Sequence, residues 1–190
     1  MMTNSPRLLL TSFAVWRDDQ PSNASDDLLG LWSAQQPPDA LARVQCLRQL
    51  PVHTERASAR ICATIGRDRP DFVLCCGMAE ARTELELETN AKHDGTVLYS
   101  RANLSLWARG LSRTRLSHDA GSFVCNGTYF RVLQDIRDRD FTTQCTFVHV
   151  PILNAANTAA IVQDFDAIVQ RLLFSRDLMR SQPNAAAPST

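Results

Sequence analysis

The chain carries no surplus of either charge: lysine plus arginine number 20, aspartate plus glutamate 20, and the formal net charge is zero at pH 7. Nothing electrostatic therefore recruits nucleic acid or a membrane surface. No run approaches the ~20 apolar residues that a transmembrane helix needs. Residues 1–7 are polar, and the Leu8–Leu9–Leu10 that follows is too short for a signal peptide. A cytoplasmic enzyme or binding protein is the default expectation. Internal repeats and a second domain are also missing. The 190 residues suit one compact domain over 7–180, between an N-terminal tail at 1–6 and a flexible Ala-, Pro-, Ser- and Asn-containing tail at 181–190.

What the chain does have is six cysteines, at positions 46, 62, 75, 76, 125 and 145. Their spacing matches no disulfide framework, and no pair has the close spacing of a zinc knuckle, so neither a cystine scaffold nor a metal site is expected. Cys75 and Cys76 are neighbours and would project to opposite faces of a strand. Most of these thiols sit in apolar runs and behave as small buried hydrophobes. Cys125 does not.

Periodicity places the elements. Leu8–Leu9–Leu10–Thr11–Ser12–Phe13 reads as a buried first strand. Ser25, ahead of Asp26 and Asp27, reads as the N-cap of a short helix that Pro37–Pro38 closes. A second strand spans 44–50, and Thr54 is the expected cap of a helix with Ala57, Ile61, Cys62 and Ile65 on one side. Phe72–Val73–Leu74–Cys75–Cys76 is a third strand, and residues 92–101 read as irregular surface. From 83 to 89, strict alternation sets Leu85 and Leu87 against Glu84, Glu86 and Glu88. A helix starts near Ser122 and buries Tyr129, Val132, Leu133 and Ile136. A strand follows over 146–150, and Ile161, Val162, Phe165, Ile168, Val169, Leu172 and Leu173 form the clearest helical stripe. Strands alternating with helices of this size predict an α/β domain, with a mostly parallel sheet between helices on both faces. Functional groups gather at the carboxyl ends of such strands.

Three residues fit one chemistry there. A thiol attacks only as thiolate, and the amides and dipole at a helix N-terminus favour that charge. Cys125 lies three residues after Ser122. The same amides could hold an oxyanion during acyl transfer. His149 would take the thiol proton and return it to the leaving amine, and Glu88 would fix the imidazole tautomer. Each signal alone has a blander reading: a core cysteine, a hydrogen-bonded structural histidine, a solvated glutamate row. Periodicity also leaves Glu86 and Glu84 open as the carboxylate, and His118 as a rival base in an exposed turn.

Ser117–His118–Asp119–Ala120–Gly121–Ser122–Phe123–Val124–Cys125–Asn126 resembles the segment around the nucleophilic cysteine in the pyroglutamyl peptidase I (pyrrolidone-carboxylate peptidase) family. Phe147–Val148–His149–Val150–Pro151 is similar to the family's histidine segment. Gly77–Met78–Ala79, Arg82 and Glu88 are similar to its glutamate segment. The resemblance covers about residues 7 to 175. It implies a three-layer α/β/α fold, a cytoplasmic cysteine exopeptidase removing N-terminal pyroglutamate, no metal or cofactor, and homo-oligomers, often tetramers. The family's glycine-rich first loop, which helps enclose the lactam, is replaced by Ser12–Phe13–Ala14–Val15–Trp16–Arg17. Phe13 and Trp16 keep aromatic character there, and Met78 stands where several members carry glutamine; these three are the expected substrate contacts. Residues 91–99 do not match the family. The catalytic groups survive better than the pocket, so the expected ligand is a small peptide or N-acyl amide. A protein that binds without turnover, or hydrolyses another cyclic or N-acyl amide, is the alternative.

Overall fold

The computed structural model describes residues 8–180, with side chains to 174, so the expected tails at 1–6 and 181–190 lie outside the described residues. The apolar runs form strands β1 (Leu8–Phe13), β2 (Val44–Leu50), β3 (Phe72–Met78), β4 (Leu85–Glu88), β7 (Thr114–Ser117) and β8 (Gln144–Val150) of one sheet, in the order β2-β1-β3-β8-β4-β7. A separate antiparallel pair is β5 (Asn90–His93) and β6 (Thr96–Tyr99). The helices are α1 (Ala24–Ser33), α2 (Pro38–Leu41), α3 (Thr54–Asp68), α4 (Leu104–Ala108), α5 (Val124–Asp138) and α6 (Thr158–Arg180). Four of the five pairings are parallel; β4 meets β8 antiparallel.

Period-two alternation splits the core into two layers, one on each side of the sheet. Leu8, Leu10, Leu74, Cys76, Leu85, Leu87, Val148 and Val150 pack with Leu28, Trp32, Phe165, Ile168 and Leu172 of α1 and α6. Leu9, Val73, Cys75, Cys145 and Phe147 pack with Ile61 and Ile65 of α3 and Tyr129, Val132 and Ile136 of α5. Cys75 and Cys76 thus fall on opposite faces, and all six cysteines are free. No helix among the described residues is long and apolar enough to cross a membrane.

Several boundaries differ from the sequence expectation for local reasons. The N-cap of α1 is Asn23, whose side chain accepts from the Ser25 amide at 3.0 Å; Ser25 is already helical and buried, and its Oγ accepts from the Phe13 amide. Thr54 is the first residue of α3, preceded by His53, which makes no side-chain cap. Pro38 closes nothing, because it opens the four-residue α2. Residues 92–101, expected as irregular surface, contain most of the β5–β6 hairpin. Its turn is Asp94–Gly95 at φ 46° and 76°. Both central residues need positive φ in such a turn, and Asp-Gly is a strong sequence signal for it. The short α4, with Leu104 and Trp107 buried, was not anticipated either.

The glutamate row is the largest departure. Glu86 and Glu88 have no exposed surface, because β4 is an interior strand with β8 on one side and β7 on the other. The edge strand β7 is in turn fastened to α6: buried Asp164 accepts from the Arg113 amide at 2.7 Å and from Thr114 Oγ1 at 3.0 Å. Asp164→Ala would leave both donors without that acceptor. It is expected to lower unfolding free energy by about 2 kcal/mol, read from a shifted urea midpoint; an unchanged midpoint would contradict this.

Candidate active site

Residues on three strands and one helix meet at the carboxyl end of β3 and β8. Gly77 of β3 is in register with His149 of β8, and Glu86 of β4 lies opposite the same histidine. Glu88, two residues on, points to the same face and sits beside Phe147. The carboxylate that reaches the imidazole is Glu88: its Oε1 is 2.7 Å from His149 Nδ1. Glu86 turns away to arginines, with its Oε2 3.0 Å from Arg82 Nε and its Oε1 bonded to Arg115. Glu84 also pairs with Arg115, at 3.3 Å.

The Glu88–His149 pair is closed to water, at 0% and 5% exposure. With Glu88 ionised the carboxylate can only accept, so Nδ1 would carry the proton and Nε2 of a neutral imidazole would be left as an acceptor. The Glu88 carbonyl is held separately, by Tyr129 OH at 3.0 Å and Thr146 Oγ1 at 2.9 Å. Phe147 flanks the imidazole with ring centroids 5.0 Å apart, and Tyr129 and Phe13 pack on Phe147 in turn. Side chain and backbone of Glu88 are therefore fixed independently, which leaves the imidazole one orientation.

Cys125 is the second residue of α5, whose N-cap is Phe123 rather than Ser122. Its sulfur lies 3.0 Å from where a Cβ on Gly77 would stand, and Phe147 would be only 2.6 Å from that atom. Glycine is required there by close approach, not by backbone angle. The partner side chain of Asn126 locks the helix to the β5–β6 hairpin. It accepts from the Lys92 amide at 2.9 Å and donates to the Lys92 carbonyl at 2.7 Å.

The thiol does not show the low pKa expected of a helix N-terminus. Burial pushes Cys125 up to about 12, and the charge of Glu88 acts in the same direction. A hydrogen bond from its own backbone amide opposes them without overcoming them. The dipole is real, but desolvation against Gly77 and Phe147 is the larger effect. A nucleophilic role for this thiol would therefore require a base to remove its proton.

A cavity of about 830 Å³ opens over this site, and Cys125 and His149 both line it. Phe13, Trp16 and Met78 line it too, so five of the six expected site residues border the cavity, and the sixth, Glu88, stands behind the histidine. The Met78 sulfur accepts from the Ala24 amide at 3.4 Å, tying it to the start of α1. Trp16 and Phe123 are exposed at the mouth, and the Arg17 guanidinium lies 5.1 Å from the Trp16 ring while pairing with Glu80 at 2.8 Å. The rival base His118 does not line the cavity; its Nδ1 bonds Thr89 Oγ1 at 2.7 Å. Val52, Arg17, Glu80, Arg82 and Phe123 were missed as lining residues. Arg82 and Phe123 lie in the segments that resemble the family's glutamate and cysteine segments, which was the signal available for them. No group of three His, Cys, Asp or Glu side chains among the described residues is arranged to hold a metal ion.

No protein-family model matches the chain. The pyrrolidone-carboxylate peptidase of Lacticaseibacillus paracasei is 24% identical over 208 aligned positions, covering 90% of this chain and 94% of its own. That of Deinococcus radiodurans is 28% identical over 189, covering 84% of each chain. Among solved structures, pyroglutamyl peptidase I from Bacillus amyloliquefaciens superposes with a TM-score of 0.74 at 15% identity, over 89% of this chain and 95% of its own. The mostly parallel α/β architecture is shared with it.

If His149 is the base for a thiol held near 12, replacing it with glutamine keeps the volume and removes the proton acceptor. In His149→Gln, alkylation of Cys125 by iodoacetamide at pH 7 should fall by roughly a hundredfold or more. Its rate should keep climbing past pH 10, because a raised pKa moves thiolate formation to higher pH. Wild-type speed in the variant at pH 7 would sink the assignment.

Proposed function

We propose that this chain, a divergent relative of the pyrrolidone-carboxylate peptidases, is a cysteine hydrolase that cleaves an amide and releases N-terminal pyroglutamate from peptides. The observation that carries the reading is the buried Glu88–His149 hydrogen bond, which backs onto a cavity that also contains Cys125. In this mechanism His149 Nε2 takes the Cys125 proton as the sulfur attacks the acyl carbon. The Glu88 carboxylate stabilises the imidazolium that forms. Proton transfer within the pair avoids a free buried thiolate, which suits a thiol held at about 12.

The negative oxygen of the tetrahedral intermediate would face the first-turn amides of α5, which have no partner inside the helix. Collapse of the intermediate breaks the carbon–nitrogen bond, and the imidazolium returns its proton to the leaving amine. Water, activated by the neutral histidine, then hydrolyses the thioester and frees the thiol. Phe13, Trp16 and Met78 would contact the acyl group through largely apolar walls. The reading carries with it a cytoplasmic location, a small peptide or N-acyl amide as substrate, self-association into homo-oligomers, and no cofactor.

A second reading, binding without turnover, draws support from one observation, the burial that keeps the resting thiol protonated. Turnover of a fluorogenic pyroglutamyl amide under reducing conditions separates the two. Wild type should release the fluorophore, Cys125→Ser should lose at least about 1,000-fold of that rate, and Glu88→Ala about 10⁴-fold in kcat. Equal, non-zero rates in wild type and Cys125→Ser would exclude Cys125 as nucleophile. No release by the wild type would favour the binding protein or another acyl group.

A further inference from the structure

The connection from β7 to α5, residues 118–123, delivers Cys125 and the first-turn amides to the site, and it contains little of its own to hold it. Gly121 has φ 76°, and the residues around it are largely exposed. Its ties run to Thr89 just after β4, to Asn90 and Lys92 of β5, with Lys92 Nζ 4.0 Å from Asp119 Oδ1, and to the loop before β4. Asn90 Nδ2 donates to the His118 carbonyl at 3.3 Å, and Thr89 Oγ1 meets His118 Nδ1 at 2.7 Å. Arg82 donates from one terminal nitrogen to the Asp119 carbonyl at 3.2 Å.

Arg82 differs from the other ties in what stands behind it. Its Nε lies 3.0 Å from Glu86 Oε2, on a side chain with almost no exposure and in register with His149. It also lines the cavity beside Cys125 and His149. The planar guanidinium fork therefore spans two points: the strand pair that fixes the base, and the loop that delivers the nucleophile. An ammonium cannot span both acceptors with the same fixed geometry. The hydrogen bond to Asp119 and the ion pair with Glu86 both end on protein atoms, so substrate binding is not what they do.

We propose that Arg82 is a positioning residue for the oxyanion. By tying Asp119 to Glu86, it sets the place of the α5 first-turn amides relative to His149 and so stabilises the tetrahedral intermediate. This rests on the hydrolase reading above. Deprotonation of Cys125 depends on Glu88 and His149, not on this tie, so thiol reactivity and turnover should separate when Arg82 changes.

The test compares wild type, Arg82→Lys and the double variant R82M/E86Q by three measurements. These are hydrolysis of a fluorogenic pyroglutamyl amide, alkylation of Cys125 by iodoacetamide, and inhibition by the aldehyde of pyroglutamate. The aldehyde takes the sulfur on carbon and the thiol proton on oxygen, giving a hemithioacetal whose oxygen occupies the oxyanion position. Arg82→Lys keeps a cation beside Glu86 but loses the fork. It should lose about 100-fold in kcat and a similar factor in aldehyde affinity. KM and the alkylation rate should stay within about threefold of wild type. R82M/E86Q removes both charges together and applies the same readouts should the lysine variant not fold.

Wild-type kcat and aldehyde affinity in the variants would overturn the inference, as would an alkylation rate that falls in step with kcat. A wild type that binds the aldehyde but does not hydrolyse the amide leaves the aldehyde comparison to decide. A wild type that does neither, while Cys125 still alkylates, removes the hydrolase reading and this inference with it.

Discussion

A carboxylate with no exposed surface must be compensated by the protein, and β4 carries two of them side by side on one face. Glu86 is compensated by arginine charge, from Arg82 and Arg115. The second oxygen of each has no hydrogen-bond donor among the described residues, but Glu88 is compensated by an imidazole N–H at 2.7 Å rather than by a guanidinium. That difference sets the chemistry. A carboxylate drawn to two guanidinium groups has little left to offer a histidine, whereas one bonded to Nδ1 fixes the orientation of the imidazole. Breaking such a buried pair by removing one partner is costly, because the other charge is left in a medium that cannot solvate it.

The arrangement depends on strand direction. Because β4 runs antiparallel to β8, its carboxyl-terminal residue lies alongside the middle of β8 rather than at its end. Glu88 is thereby carried below the histidine, inside the layer formed by Phe147, Tyr129 and Phe13, while Glu86 comes level with it. The substrate side of His149 is then left to Cys125 and the cavity. A parallel β4 would have sent its last residue toward the cavity rim instead.

The thiol is placed by two opposing demands. The helix N-terminus supplies amides for a developing negative charge, which asks that the sulfur stay near the first turn. The approach to Gly77 that fixes its position also takes it partly out of solvent and raises its pKa. In the proposed reaction the resting thiol is protonated, and charge appears only as the proton moves to His149. Local sequence showed the first demand and not the second, since solvent exclusion comes from β3 and β8, which are remote in sequence from Cys125.

Apolar alternation was enough to determine the strands and the main helices, because period and burial are local properties of the chain. The stripe of α6, the strand β3 and the bounds of β2 followed directly. The identities of Cys125, His149 and Glu88 as candidates were also legible, from residue type and from resemblance. The hairpin at β5–β6 was legible in Asp94–Gly95, whereas the N-cap of α1 turned on one side chain's choice between neighbours. Tertiary structure alone decided which of three alternating glutamates meets the histidine. They share a strand face, and only strand order, direction and the competing arginines distinguish them. It also decided the protonation of the thiol and the link from Arg82 to the nucleophile loop, because both depend on what distant segments bring within a few ångströms.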